Sequence, residues 1–246
     1  MPGRCPFSRA FSQATYTRPS CVSLMTSLYP SATGVWTKFE KLHDNYLTLA
    51  EIMRNQGFVT IMVTQNVNAG PHSGLHQGFS YVFDPSAIGS DASDIYQGHL
   101  FQKCIEDHKN RNLFIYLHLI DPHGPYDPPI DKDILTREIA ALKNQQPVEK
   151  DLQFDPPWLT TPTHQSRVFL YDEEIKHNDL YFADFIATLK NSNIYDETLI
   201  AFISDHGEHL GEHGLWGHKP PGYRQVLNVP VILSFPEKIK RRQKHQ

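Results

Sequence analysis

The sequence predicts an α/β fold in which a mostly parallel sheet carries helices on both faces. Three observations predict it: short apolar runs alternate with segments of helical periodicity, the 246 residues suffice for one sizeable core, and no flexible seam divides the chain. The hydrophobic fraction of 39% and the charged fraction of 20% are typical of a globular protein. We therefore expect a single domain over residues 1–246.

The first two elements are a helix and the strand that follows it. Apolar residues between Leu42 and Met53 recur at helical spacing, and this run ends at Gly57. The next stretch, residues 58–65, reads FVTIMVTQ and is apolar and rich in β-branched residues. A helix that leads into a buried strand is the repeating unit of α/β folds.

Three further apolar runs predict the remaining strands, at residues 112–120, 197–205 and 228–235. Between the first two of these runs, residues 166–190 keep a helical period. Ligands of parallel sheets bind beyond the carboxyl ends of the strands. If the strands are parallel, the ends of 112–120 and 197–205 point to the same edge of the sheet.

Residues 122–165 form a long proline-rich excursion after the second strand, with a helix candidate at 133–145 inside it. Connections of this length are uncommon in compact domains unless they cover a site, bind a ligand or are disordered. We expect the excursion to cover the substrate.

Charge and cysteine content narrow the function classes. A formal net charge of −4 provides no basic field, so nucleic acid is not an expected partner. Cys5, Cys21 and Cys104 offer neither a disulfide framework nor a C-x-x-C pair.

Residues 1–16 lack a signal-peptide pattern, and the longest apolar run, 113–120, is too short for a membrane segment. The localisation is left open.

Two strands end in residues that carry chemistry, IDPHGPYDPP at 120–129 and SDHGEHLGEHG at 204–214. Asp205 and His206 offer a carboxylate and an imidazole, which can both donate to one metal ion. Gly207 lets the backbone turn sharply at the strand tip. The alternative is an Asx-type turn with an exposed histidine. The count of fourteen histidines favours a metal-dependent hydrolase.

The chain resembles the sulfatase family of the alkaline-phosphatase-like superfamily. Four stretches carry the resemblance and follow the family's order along the chain: TYTRPSCVSLMTSLYPSATGV, NLFIYLHLIDPHGPYDPP, YDEEIKHNDLYFADFIATLKNSNIYDETLIAFISDHGE and ETLIAFISDHGEHLGEHGLWGHKPPGYRQVLNVPVILSFP. The resemblance implies a hydrolase of sulfate or phosphate esters that uses one divalent cation bound by Asp205 and His206. It does not distinguish Ca, Mn, Mg and Zn. Glu208, His209, Glu212 and His213 are expected outside the metal shell.

Laid on the family's C-x-P-S-R stretch, residues 17–21 read TRPSC, so Thr17 stands at the nucleophile position. Threonine cannot supply the cysteine precursor of formylglycine, and the residues after Cys21 lack the motif's proline and arginine. The resemblance therefore implies an unmodified Thr17 alkoxide at a helix N-terminus, as in phosphodiesterases and phosphotransferases of the superfamily. An ordinary N-cap threonine is the alternative.

His123 and His218 are the remaining catalytic candidates. The resemblance places His123 where the family contacts the ester anion or protonates the leaving group, and His218 where relatives face the same oxyanion. Two imidazoles around one tetrahedral anion suit ester hydrolysis. Both are therefore also expected to bind substrate, a small-molecule, glycan-linked or lipid-linked ester. The family's Lys-x-His after the strand near Thr64 is missing, and Asn66 is a partial substitute.

The sequence thus predicts a metal-dependent hydrolase of sulfate or phosphate esters with Thr17 as nucleophile. A transferase of phospho-headgroups and a non-catalytic remnant of the fold remain alternatives. In the family, an upstream strand ending in aspartate completes the metal shell, and residues 1–16 are too few for it. We therefore expect an incomplete, fragment-like catalytic domain that binds metal weakly, shows little activity and is poorly soluble.

Overall fold

The computed structural model describes residues 4–84, 99–236 and 238–239. The chain divides into two compact units. The first contains residues 1–119, 185–207 and 218–246, and the second contains residues 120–184 and 208–217. The prediction of a mixed α/β fold with a parallel sheet and helices is confirmed.

The first unit contains a parallel sheet of three strands in the order β3-β2-β4. Its strands are β2 (Val59–Thr64), β3 (Tyr81–Phe83) and β4 (Leu113–His118). The central strand β2 is buried at every residue, as its continuous apolar sequence predicts. Val59 is in register with Leu113, and Thr64 with His118, so β2 and β4 end side by side.

A second sheet of the first unit has the order β1-β8-β5. Its strands are β1 (Arg4–Phe7), β5 (Ile200–Ile203) and β8 (Val231–Ser234). The central strand β8 runs antiparallel to both neighbours. The expectation that the strands at 112–120 and 197–205 belong to one parallel sheet is not met among the described residues, because β4 and β5 belong to different sheets.

Among the described residues, five α-helices belong wholly to the first unit. They are α1 (Thr17–Thr26), α2 (Pro30–Thr33), α3 (Leu49–Asn55), α4 (His99–His108) and α7 (Arg224–Leu227). One core lies between α1, α3 and the parallel sheet. It contains Cys21, Val22, Met25, Val35, Leu42, Ala50, Met62, Ala69, Leu75 and Phe79.

Helix α3 is shorter than the predicted helix, because it begins after Thr48 rather than at Leu42. Thr48 and Glu51 form a capping box, in which each side chain accepts a hydrogen bond from the other residue's backbone N–H. Leu42 is buried, but its N–H donates to the carbonyl of Ser73 at 2.9 Å. The apolar residues before Thr48 therefore pack from a loop, and their helical spacing was misleading.

The second unit has its own core and its own secondary structure. It contains α5 (Lys132–Ala141), the greater part of α6 (His164–Asn191) and the antiparallel pair β6 (His209–Leu210) and β7 (Trp216–Gly217). Its buried apolar residues are Tyr126, Leu135, Ile139, Phe154, Leu159 and Leu170. The excursion predicted at 122–165 thus folds as part of a packed unit. Its expected position over the substrate stays a prediction.

A buried ion pair stabilises this second unit. The Arg167 guanidinium donates to both carboxylate oxygens of Asp155, from Nε at 2.7 Å and from Nη2 at 2.6 Å. Asp155 Oδ2 also accepts the N–H of Asp151 at 2.8 Å. Both charged side chains are almost fully buried, so their hydrogen bonds to each other replace the lost contacts with water.

No helix in the described part of the chain is both long and apolar enough to cross a membrane.

Candidate active site

Thr17 is the first residue of α1 and lies at the N-terminal end of that helix, where backbone N–H groups face an incoming anion. The preceding residue, Tyr16, has extended backbone and makes no side-chain cap. Thr17 is 8% exposed. A helix start that leaves its N–H groups without a side-chain cap is suited to an anionic ligand.

Asp205 and His206 follow β5 directly and belong to the same unit as Thr17. Gly207 comes next, and a Cβ at this position would lie 2.3 Å from the carbonyl oxygen of Gln225. Its N–H donates to the carbonyl of Val226 at 2.6 Å. The backbone of α7 therefore packs so closely against residue 207 that only glycine fits, which fixes the turn after His206.

The Thr17 hydroxyl and the His206 ring are in hydrogen-bond contact, with Oγ1 3.2 Å from Nε2. Nδ1 of the same ring lies 3.0 Å from the carbonyl oxygen of Gly207, which can only accept. In the neutral imidazole Nδ1 therefore carries the proton and Nε2 is the acceptor. The Thr17 hydroxyl then donates to His206 Nε2, and its oxygen lone pairs face away from that bond.

Ser20, one turn further along α1, connects the helix to the tip of β5. Its hydroxyl donates to the backbone carbonyl of Asp205 at 2.6 Å, and its oxygen is 2.9 Å from the hydroxyl of Ser12. Thr17 and Asp205 thus lie on two segments that are joined by a direct hydrogen bond. This bond fixes the distance between the helix start and the strand end.

Asp205 is partly buried and ionised. Burial alone would raise the pKa of its carboxyl, but the neighbouring His206 and His118, the His206 N–H and the Thr17 side chain together bring the pKa below its usual value. The His206 N–H donates to Asp205 Oδ1 at 2.9 Å. The site therefore holds a permanent negative charge beside the Thr17 hydroxyl.

His218 also lies in this cluster. Its ring centroid is 4.3 Å from that of His206, and its ring meets Tyr16 edge-on with centroids 5.8 Å apart. The structure therefore brings together four of the five predicted site residues: Thr17, Asp205, His206 and His218. Their catalytic and metal-binding roles stay predictions.

His118 is a site neighbour that the sequence analysis missed. It ends β4, and its Nδ1 lies 3.2 Å from the hydroxyl of Tyr116. Burial and the neighbouring His206 lower the pKa of its imidazole, although Asp205 acts in the opposite direction. A polar residue at the end of an otherwise apolar strand, LFIYLH, was the available signal. The apolar run by itself predicts only a buried strand.

The Asp205 and His206 side chains fit two positions of a divalent cation's coordination shell. Asp205 Oδ2 and His206 Nε2 are 3.5 Å apart, a separation that two ligands with bonds of about 2 Å to one ion can span. No group of three or more His, Cys, Asp or Glu side chains surrounds a common point in the parts of the chain that the structure describes. Among the described residues Asp205 and His206 are thus two candidate ligands, and a metal site formed by them stays a prediction.

His123 belongs to the second unit and is described with that unit. Its Nδ1 lies 2.8 Å from the carbonyl oxygen of Gly124, and its backbone N–H donates to Oε2 of Glu174 at 3.2 Å. The role assigned to His123 by resemblance stays a prediction.

The acidic and histidine residues after Gly207 are used structurally within the second unit. Glu208 accepts a hydrogen bond from the Tyr126 hydroxyl, and Glu212 accepts the Leu210 N–H at 2.7 Å. His209 is fully buried.

In the first unit, the Asn66 side chain accepts the N–H of Asn68 at 2.9 Å and caps a short turn.

Cys21 lies in the core rather than in the site. It is 1% exposed, and its sulfur accepts a hydrogen bond from the Tyr116 hydroxyl at 3.5 Å. Burial raises the pKa of its thiol well above the usual value, with a further increase from Asp205. A buried, protonated thiol is a poor nucleophile, so Cys21 is not suited to that role, and Thr17 as nucleophile stays a prediction.

A hydroxyl at a helix start, held against a carboxylate and imidazoles at the end of a strand, defines an α/β protein of the alkaline-phosphatase-like class. The chain belongs to the sulfatase family, whose family model matches residues 5–246.

Relatives of two activities are similar to this chain. Choline-sulfatase of Rhizobium meliloti is 28% identical over 53% of this chain and 28% of its own length. Phosphoethanolamine transferase EptA of Helicobacter pylori is 26% identical over 55% of this chain and 24% of its own length.

Among solved structures, the phosphonate monoester hydrolase of Agrobacterium radiobacter matches 94% of this chain and 61% of its own length, with a TM-score of 0.67 and 17% identity. Each match covers less than two thirds of the relative's own length.

Proposed function

We propose that this chain is a hydrolase of phosphate or sulfate esters that uses unmodified Thr17 as its nucleophile and prefers phosphate esters. The observation that supports it most directly is the contact between the Thr17 hydroxyl and His206 Nε2 at 3.2 Å. A hydroxyl is a weak nucleophile unless a neighbouring group takes its proton or lowers its pKa. Thr17 has such a neighbour and also lies at a helix N-terminus.

The reaction would proceed in two displacements. Thr17 Oγ1 forms a bond to the phosphorus or sulfur of the ester while the bond to the leaving oxygen breaks. The threonine proton passes to an acceptor in the site, and the leaving oxygen gains a proton. Water then attacks the ester of Thr17 and restores the hydroxyl. In this scheme Asp205 and His206 hold the Thr17 hydroxyl in place.

His218 and His123 would stabilise the oxygens of the transferred group. His218 packs against His206 and is therefore close to the attacking hydroxyl. A cationic or hydrogen-bonding imidazole at an oxyanion lowers the barrier for such a displacement. A divalent cation bound by Asp205 and His206 Nε2 would occupy the lone pair that accepts from Thr17, and its charge would then lower the hydroxyl pKa in place of that hydrogen bond. His123 is assigned as leaving-group acid or anion contact on the family resemblance.

A transferase that moves a phospho-headgroup onto a lipid or glycan is the second candidate. It is supported by the similarity to phosphoethanolamine transferase EptA and by the threonine at the nucleophile position. Both reactions share the first displacement and differ in whether water or an acceptor hydroxyl takes the group from Thr17. A non-catalytic binding module of the same fold is the third.

The three candidates are separated by one set of assays. The purified chain is incubated with 4-nitrophenyl phosphate, 4-nitrophenyl sulfate and phosphoethanolamine lipid, with and without added Mn²⁺, and the products are identified. Thr17→Ala should abolish release of nitrophenol, whereas Thr26→Ala, at the other end of α1, should not. The Thr26 hydroxyl donates only to the carbonyl of Val22, at 2.7 Å.

Free phosphate or sulfate among the products supports hydrolysis, and transfer to an added sugar or lipid acceptor supports the transferase. Absence of turnover and of a covalent adduct on Thr17 in every condition would contradict both and leave the binding module.

A further inference from the structure

Glu174 joins helix α6 to the segment that carries His123. Its Oε1 accepts the N–H of Asp127 at 2.7 Å, and its Oε2 accepts the N–H of His123 at 3.2 Å. The side chain is buried, and all three residues belong to the second unit. One carboxylate therefore binds the backbone at two points, four residues apart.

The segment from Pro122 to Asp127 lies in no helix or strand, and its two prolines have no N–H to donate. At its C-terminal end the N–H of Tyr126 donates to the carbonyl of Phe154 at 3.0 Å, and the Asp127 carboxylate accepts a hydrogen bond from Trp158 Nε1 at 2.8 Å. The bond from the His123 N–H to Glu174 holds the backbone at the other end of the segment, at the histidine itself.

The His123 ring is oriented by the same segment. Its Nδ1 donates to the carbonyl oxygen of Gly124 at 2.8 Å, so the direction of the ring follows the local backbone. Since Glu174 fixes that backbone at His123 and at Asp127, it also fixes where the imidazole points. The connection runs from a helix to a ring through the backbone of His123 and Gly124.

We propose that Glu174 is the positioning residue for His123, and that it holds the imidazole in the orientation in which it binds a phosphate or sulfate group. The proposal rests on the role given to His123 in the proposed function. Glu174 would then contribute to the proposed reaction without touching the substrate or Thr17. Its effect is transmitted by two backbone hydrogen bonds.

The carboxylate can make both bonds only when it is ionised. Protonation turns one oxygen into a hydroxyl donor, which leaves a single good acceptor for two N–H groups. Burial of the carboxyl group and the neighbouring charge of Asp121 raise the pKa of Glu174 to about 8. The N–H groups of Asp127 and His123 act in the opposite direction, because they donate to the carboxylate. The ionisable groups around it are Asp121, Tyr126, Tyr171 and Glu208. The anchor is therefore complete at high pH and weakened at low pH.

The anchor is tested by NMR titration of the full chain from about pH 6.5 to about pH 9, a range that brackets the pKa of about 8. The amide signals of His123 and Asp127 should shift together through this range. Glu174→Gln, which keeps the shape but only one acceptor, should lose this shared transition. Glu173→Gln is the matched control. Glu173 is the residue before Glu174 on the same helix, and its carboxylate pairs with Lys176.

Positioning is tested by adding inorganic phosphate and following the ring signals of His123. We expect a phosphate-dependent shift in the wild type and in Glu173→Gln, and its loss in Glu174→Gln at the same phosphate concentration. A full shift in Glu174→Gln would overturn the positioning role. Amides that do not titrate together, or a transition lost equally in Glu173→Gln, would overturn the anchor.

In a further outcome, the amides of the wild type titrate as expected but the ring signals of His123 do not shift when phosphate is added. This outcome would reject the anion-binding role of His123 and hence the positioning claim, and it would leave the anchoring bonds of Glu174 established. Failure of the proposed function is thus distinguished from failure of the anchor.

Discussion

Thr17 and His206 are in hydrogen-bond contact at 3.2 Å although 189 residues separate them along the chain. The contact joins the start of the first long helix to the end of β5. A second bond, from Ser20 to the Asp205 carbonyl, supports the same junction at 2.6 Å. The nucleophile candidate and the metal-ligand candidates are thus joined by two hydrogen bonds within one unit.

Thr17 should be unmodified and essential. Because threonine lacks the thiol precursor of formylglycine, intact-mass spectrometry should show the mass calculated from the sequence, without an aldehyde. Thr17→Ser should keep measurable turnover of 4-nitrophenyl phosphate, and Thr17→Ala should lose roughly three or more orders of magnitude, since catalysis by an activated nucleophile is removed. Full activity in Thr17→Ala would remove Thr17 from the mechanism.

Gly207→Ala should disturb the site as well as stability. The new Cβ would lie 2.3 Å from the Gln225 carbonyl oxygen, so backbone must move and about 1–3 kcal/mol of unfolding free energy should be lost. Gly57→Ala is the control, since its surroundings are open and only its positive φ of 85° costs about 1–2 kcal/mol. Thermal unfolding should show a loss for both variants, and turnover should fall only for Gly207→Ala.

Breaking the buried ion pair of the second unit should be costly. Asp155→Asn leaves the Arg167 guanidinium buried beside a neutral amide, and we expect a loss of about 3–5 kcal/mol in denaturant unfolding. Lys109→Gln removes the exposed pair with Glu106 and should cost about 1 kcal/mol or less. Equal effects of the two substitutions would argue against the buried geometry.

The stability of the protein should depend on Glu174 in a defined pH window. Its folded-state pKa of about 8 lies above the usual value of 4.5, so the folded state binds the proton more tightly than the unfolded state. Stability from this group is therefore complete below about pH 4.5 and is lost as the pH rises to about 8. Glu174→Gln should gain melting temperature relative to wild type across that window. A constant difference would contradict the shift.

Metal binding should be weak and should depend on Asp205. Two described donors leave most coordination positions to water, so titration calorimetry with Mn²⁺ should give a Kd of roughly 10⁻⁴ M or weaker. Asp205→Asn should abolish the heat signal, because it removes the only carboxylate of the pair. Asp172→Asn, an exposed change on α6, is the control. Submicromolar binding would show that further ligands are present.

The parts of the fold that the sequence predicted are those with strong periodic patterns. Helix α6 and strands β2 and β4 were expected within a few residues of their observed bounds, because the two strands are continuous apolar runs and the helix has apolar residues at a helical period in the sequence. The start of α3 was missed because the capping box at Thr48 determines where the helix begins, and the apolar residues before it pack from a loop. A local polar contact overrode the periodic signal.

The candidate site likewise contains residues that the sequence predicted and residues that it did not. Thr17, Asp205 and His206 were found through motifs whose spacing along the chain is short. His118 was missed because its proximity to Asp205 depends on how the ends of β4 and β5 meet in the fold. Glu174 was likewise invisible, since it acts through the backbone N–H groups of a segment about fifty residues earlier in the chain. Long-range backbone contacts leave no pattern in the amino-acid letters.

The large separation between Thr17 and His206 also affects the order of events during synthesis. At about 5–20 residues per second, the ribosome needs roughly 10–40 s after Thr17 to reach residue 206, and longer to release it from the exit tunnel. Throughout that interval helix α1 lacks the partner of Ser20 and Thr17 at the end of β5. A nascent chain therefore carries the nucleophile candidate long before its neighbours in the candidate site exist, and that site forms only when residues of the last third of the chain have folded onto the first helix.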